Sequence, residues 1–226
     1  KELFKIMKYA LDKGKIINGH TAGSRRAKLI SYISAGISSC HEPINYDEMM
    51  ERLRLGMWVM LREGSIRRDM EGMLSELHRN EINYSRLMMA SDGVDPTDMV
   101  KIGYIDHCIR LCVKSGMHPA KAVQMASLNT ATYYGLDQDL GGIAPGKLAD
   151  IVVFNNLQDF TVTKVFLNGL LVVDNGKVIV KTKPFQYPTW AKNTINVKKK
   201  FNATDFHIKI PKGKKIENNK IQVIIS

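Results

Sequence analysis

Four side chains stand out for the chemistry they could do: His20, His41, Glu63 and Asp92. Each follows a short apolar run: Ile16-Ile17 before His20, Ile37 to Cys40 before His41, "MWVML" before Glu63 and "RLMMA" before Asp92. Imidazoles and carboxylates brought in from separate rigid elements suit a borderline divalent ion such as zinc, iron or manganese. Such an ion lowers the pKa of a water molecule toward ~7, and a nearby carboxylate can take the proton and pass it to a leaving group. A single histidine at a strand end is more often a hydrogen-bonded loop residue than a ligand. Two at equivalent positions, 21 residues apart and followed by an aspartate at a third, shift the balance toward a metal site. The other histidines carry less. His78 lies late in a polar helix, His118 precedes Pro119 at a helix start, and His207 lies in a lysine-rich tail. His107 sits on a helix beside Asp106 and Cys108, where packing is the simpler role.

Something must position these groups, and residues 1–136 repeat one theme. A short strand ends in polar residues, a helix follows, and a glycine closes it. The spacing predicts helices over Ala27–Ala35, Tyr46–Leu55, Ile66–Arg79, Tyr104–Ser115 and Pro119–Tyr134. Asn45 is a candidate N-cap, with Asp47 and Glu48 in the first turn. Four strands alternating with helices imply right-handed crossovers and a parallel sheet. In (β/α) barrels the chemistry gathers at the C-terminal ends of the strands, where all four side chains fall. The fold class expected is therefore α/β: the second half of a (β/α)8 barrel over 1–136. A small β-sandwich segment over 137–180 follows, with "DNGK" as a type I′ hairpin signal. Residues 181–226 read as a lysine-rich extension with short strands such as "FHIKI" and "IQVII". "GGIAPGK" is not a phosphate loop, because it lacks the GKS or GKT ending and a strand follows it. The methionines at helical or strand spacing are most simply core.

The bulk composition narrows the partners. The net charge is +11, but ten lysines between Lys183 and Lys220 against Asp205 and Glu217 contribute +8 of it. That segment holds no arginine, the residue best suited to bidentate phosphate or base contacts, so the charge reads as a solvated surface and argues against nucleic acid. No apolar run approaches the roughly 18 residues of a membrane span. Lys1–Lys15 is charged and amphipathic, unlike a secretory leader. Three cysteines without a CxxC pair suit a reducing compartment, so a cytoplasmic location is expected. The chain opens on Lys1 in what reads as the middle of a domain, so a piece of a longer protein is expected, and a homo-oligomer stays open.

The segments "GGIAPGKLADIVVF" and "VTKVFLNGLLV" resemble the closing β segment of the metal-dependent amidohydrolase superfamily. "NGHTAG", "SSCHEP", "LRLGMWVMLREGS" and "IDHCIRLCVKSGMHPAKAVQMASLNTATYYGL" resemble, in order, its adenine deaminase branch. The resemblance implies hydrolytic deamination of adenine to hypoxanthine and ammonia at a metal site. That site is often binuclear, with manganese or iron, and zinc as the alternative. It implies His20 and His41 as metal ligands after strands five and six, and Asp92 after strand eight as both ligand and proton shuttle. Glu42 would orient a ligand or contact substrate. Arg62, Glu63 and Ser65 would meet the purine, with Glu63 reading the base rather than binding metal. The branch's HxH pair and bridging carboxylate are absent from this sequence, so the remaining ligands and the N-terminal half of the barrel are expected upstream of Lys1. A second acidic residue expected after Asp92 is replaced by Gly93-Val94. Two other readings stay open: a related amidohydrolase acting on a cyclic amide or amine, and a non-catalytic fragment or partner of such an enzyme.

Overall fold

The computed structural model describes residues 2–77, 82–181, 183–192, 194–198 and 200–207, which fall into two compact units, Lys1–Val180 and Lys181–Ser226. In the first unit α1 (Glu2–Asp12) leads to β1 (Ile17–Asn18), α2 (Arg26–Ser34), β2 (Ile37–Cys40), α3 (Tyr46–Arg54), β3 (Trp58–Arg62), α4 (Met70–Leu77) and β4 (Leu87–Ala90). The four strands form one parallel sheet in the order β1-β2-β3-β4. Because every strand runs the same way and is followed by a helix, all four polar strand ends open onto one edge of the sheet. Four helices come after: α5 (Pro96–Lys101), α6 (Ile105–Lys114), α7 (Pro119–Ala126) and α8 (Leu128–Tyr133).

Local sequence explains most element ends. Asn45 caps α3, its side chain accepting from Glu48 N at 3.0 Å, and such a cap contributes about 1 kcal/mol. The main core is built from the inward faces of β3 and β4 with α3, α4, α6 and α7, and includes Met49, Val59, Leu61, Met73, Leu87 and Cys112. A smaller cluster of Leu29, Ile37, Cys40 and Met57 seals β1 and β2 against α2.

Two helix expectations need correction. The helix expected from Ile66 begins at Met70. Residues 64–69 instead fold back along β3: Arg68 pairs antiparallel with Glu63, and Asp69 N donates to Arg62 O at 3.3 Å. The expected end of that helix, with His78, lies outside the described residues. The helix expected over Pro119–Tyr134 breaks at Ser127, whose hydroxyl donates to Val123 O at 2.7 Å. The break lets Asn129, buried in α8, donate to Tyr84 O and Leu87 O at 2.8 Å each, pinning the start of β4. The short α5, capped by Asp95 with Pro96 at its start, was not anticipated.

Beyond α8 the chain forms an antiparallel sheet, β5 (Ile151–Phe154), β6 (Val162–Leu167), β7 (Leu170–Asp174) and β8 (Lys177–Val178). Asn175 and Gly176 both have positive φ (48° and 71°), as a type I′ turn requires, and Asn168-Gly169 repeats the device one hairpin earlier. A second sheet to complete a sandwich is not found among the described residues. Phe160, fully buried and left-handed at φ 48°, plugs this segment into the main core. The second unit contains 3₁₀ turns at Thr189–Ala191 and Ala203–Phe206, the latter closed by a reciprocal Asn202–Asp205 cap. "IQVII" and the end of "FHIKI" lie outside the described residues.

Candidate metal and substrate site

The side chains at the sheet's C-terminal edge form one connected group. His20 follows β1 by two residues and His41 follows β2 directly, and their ring centroids lie 6.2 Å apart, edge to face. Glu42 sits between them: its Oε1 is 3.2 Å from His20 Nδ1 and 3.0 Å from His41 Nε2. Ligand atoms of His20, His41 and Glu42 all lie within 4.8 Å of one another. Asp92, two residues beyond β4, is not in that cluster but joins it through Arg62. Arg62 Nη1 donates both to Glu42 Oε1 at 3.0 Å and to Asp92 Oδ2 at 2.9 Å. Asp92 adopts φ +46°, an uncommon left-handed conformation for a side chain other than glycine. It stays half-exposed, and no bond to its Oδ1 is seen among the described residues.

Electrostatics favour a cation here. Glu42, Asp69 and Asp92 surround one guanidinium, leaving a formal charge of −2 from three carboxylates and one cation. Two imidazole nitrogens with carboxylate oxygens form a donor set that zinc, iron or manganese accepts. The residues present therefore fit a divalent ion.

The other expected residues are placed differently from one another. Arg62 is buried, with 3% of its side chain exposed. Four of its five N–H groups are taken by carboxylates: Nε and Nη2 by Asp69, and Nη1 by Glu42 and Asp92. Burial opposes its charge, but the bonds to Asp69 and Asp92 and the charges of Glu42 and Asp69 outweigh burial and raise its pKa. Glu63 is buried beside a small cavity of about 20 Å³, lined with Gly64, Ser65, Asp98, Tyr104 and His107. That volume holds about one water molecule. Burial pushes the Glu63 carboxyl above its usual range, partly offset by the Met70 amide, which donates to Oε2 at 3.4 Å. Ser65 Oγ accepts from Asp95 N at 2.8 Å and so ties the loop after β4 to the loop after β3.

Two contributors, Asp69 and Arg52, escaped the sequence reading, while His107, read as a packing residue, lies beside Glu63. His107 packs its ring against Glu63, Nε2 lying 4.0 Å from Oε1, and burial lowers its pKa with the Arg110 charge adding to the effect. Asp69 anchors Arg62. Arg52 is fully buried with no carboxylate partner among the described residues. Its guanidinium donates to Thr21 O at 2.7 Å, Thr21 Oγ1 at 3.1 Å, Glu48 O at 3.0 Å and Ser24 O at 3.3 Å. Thr21 in turn donates to Cys40 Sγ, so Arg52 ties the loop carrying His20 to the residue before His41. One signal for Arg52 was available: it lies three residues after Met49, on the apolar face of α3.

Known proteins resemble this chain over most of its length. Residues 1–172 match the model of the Amidohydrolase family. The chain is 48% identical over 195 residues to an adenine deaminase of Cenarchaeum symbiosum, covering 86% of this chain and 32% of that protein. It is 34% identical over 220 residues to an adenine deaminase of Moorella thermoacetica, covering 97% and 37%. The chain thus spans about a third of the length of these curated relatives. Among solved structures, β-aspartyl dipeptidase of Fervidobacterium islandicum AW-1 superposes with a TM-score of 0.61 at 18% identity, over 82% of this chain and 55% of that one. At that identity the likeness concerns the fold alone.

Proposed function

Because the chain belongs to the amidohydrolase family, we propose that it is the metal- and adenine-binding part of an enzyme that hydrolyses adenine to hypoxanthine and ammonia. The observation that carries the substrate is its identity to proteins named adenine deaminase. The chemistry is supported by the convergence of His20, His41, Glu42 and Asp92 at one sheet edge. In this reading residues 1–136 are half of a (β/α)8 barrel, 137–180 are the closing β segment, and 181–226 extend it. The rest of the relatives' length supplies the other half, further ligands and the remaining walls around the purine.

His20, His41 and Asp92 would hold the ion, manganese or iron by family habit, and its chemistry when bound is to bring the pKa of a water molecule toward ~7. Asp92 does the proton work. Its Oδ2 is fixed on Arg62, while Oδ1, which has no bond among the described residues, is placed to take a proton from the attacking water. The same carboxyl then delivers the proton to the amine leaving C6. Glu42, within hydrogen-bond distance of both rings, orients the imidazoles. Glu63, with its raised pKa, is suited to share a proton with a ring nitrogen of the base, and Ser65 holds its loop.

Asp92→Asn in the full-length protein tests this. Turnover should fall by several orders of magnitude with adenine binding little changed. Retained turnover removes Asp92 from the role. A panel of cyclic amides and amines, run beside adenine on the wild type, decides against a related substrate if adenine alone is consumed.

A further inference from the structure

Arg62 was expected to face the purine, and its surroundings argue for a different task. It is the last residue of β3, the strand flanked by β2 and β4. Glu42 comes from the end of β2 and Asp92 from the end of β4, so a residue at the end of the strand between them is placed to touch both. Nη1 does so, bonding Glu42 Oε1 at 3.0 Å and Asp92 Oδ2 at 2.9 Å. The opposite edge of the guanidinium is clamped by Asp69 Oδ2, at 3.0 Å from Nε and 2.6 Å from Nη2. Asp69 is itself held on β3 by its amide bond to Arg62 O. Among the described residues one N–H is left without a partner, on a side chain only 3% exposed, so little is left for a substrate to bind. Arginine suits this geometry and lysine does not. The planar fork serves three carboxylates in fixed directions, whereas an ammonium is a single charged point on a flexible stem.

We infer that Arg62 is a positioning residue: a buried guanidinium, braced by Asp69, that sets Asp92 and Glu42 at the distance and angle the reaction needs, without touching adenine. The inference rests on the functional reading above and adds the residue that orders that site. Misplacing a reacting group by about 1 Å costs on the order of 10²-fold in rate. Losing the fork should therefore appear in kcat, while groups that bind the base keep KM.

The test uses steady-state ammonia release from adenine by the full-length protein, for Arg62→Lys, Arg62→Ala and Asp69→Asn. Binding of hypoxanthine is measured by calorimetry alongside. Arg62→Lys should lower kcat at least tenfold with KM and hypoxanthine affinity within threefold of wild type. Added guanidinium should restore part of the kcat lost in Arg62→Ala. Asp69→Asn removes only the brace, so kcat should fall less, with KM again unchanged. A raised KM and weakened hypoxanthine binding at unchanged kcat would make Arg62 a substrate contact and overturn the inference. So would losses in all three variants that merely follow the folded fraction. If Arg62 variants do not fold, Asp69→Asn decides: unchanged kcat in folded protein rejects the bracing role. A wild type that releases no ammonia from adenine contradicts the functional reading instead, which separates the two failures.

Discussion

Gly64→Ala perturbs the site sharply while removing no functional group. A Cβ built on Gly64 would stand 2.3 Å from Ser91 O and 2.9 Å from both Asp92 O and Gly93 O. All three are backbone atoms, so no side chain can swing aside. Restoring an ordinary separation of about 3.4 Å requires the 91–93 segment to move by roughly 1 Å, since interior packing tolerates little overlap. That segment has little slack, because Asp92 and Gly93 already occupy left-handed conformations at φ 46° and 82°. The same shift stretches the 2.9 Å bond between Asp92 Oδ2 and Arg62 beyond hydrogen-bonding range. An error of about 1 Å at a reacting group costs on the order of 10²-fold, or about 2.7 kcal/mol of barrier. Overpacking should also lower stability by about 1–3 kcal/mol. The assay is kcat for adenine in the full-length protein, with thermal unfolding to establish that the variant is folded. Gly93→Ala is the comparison, because a Cβ there meets nothing within 4 Å and introduces only backbone strain. A folded Gly64→Ala enzyme with kcat within threefold of wild type would refute the reasoning.

Further outcomes follow from the same contacts. Arg52→Met should destabilise by about 1–3 kcal/mol in chemical unfolding, since it removes four donated bonds and leaves the Ser24 carbonyl without its guanidinium partner, and metal titration should show weaker binding as the His20 loop loosens; unchanged stability would contradict the buried network. Burial pushes the thiols of Cys108 and Cys112 up to about 12. Native protein at pH 8 should therefore leave both unreactive toward a thiol reagent, and unfolding should release them. These raised values stabilise the fold fully below the unfolded thiol pKa near 9, and that contribution is lost as pH rises from there through about 12. Stability measured across that alkaline window should fall, and a flat profile would count against the burial. Asn45→Ala should cost about 1 kcal/mol by removing the α3 cap, read in the same unfolding experiment.

The contrast between His20 and Arg52 explains what could be read from the sequence. His20, His41 and Asp92 follow apolar runs at strand ends, and the alternation of strand and helix carries them to one edge wherever the sheet is parallel. The cap at Asn45 and the turn at Asn175-Gly176 are equally local, so they were legible too. The place of Arg52 on the apolar face of α3 hints at burial, but its main acceptors, the carbonyls of Thr21 and Ser24 in a distant loop, cannot be read from it. The hub at Arg62 depends on strand order, which brings Glu42 and Asp92 to either side of β3, and on the fold-back of 64–69 that presents Asp69. That fold-back also displaced the start of α4, because tertiary pairing with β3 outweighed helical propensity at Ile66 to Asp69. Asp92 was read as a ligand from its motif, whereas the closest donor group contains Glu42, a residue whose reach could not be judged without the ring positions of His20 and His41.

Central to the proposed function is that His20 and His41 would hold a divalent ion on which deamination of adenine depends. Bound manganese or iron and ammonia release from adenine should be measured together on the full-length wild type and on His20→Ala/His41→Ala. Ammonia release that rises with metal content in the wild type, and is lost with the metal in a folded double variant, is the expected result. Undiminished ammonia release from the double variant, or from wild type stripped of metal, would contradict it.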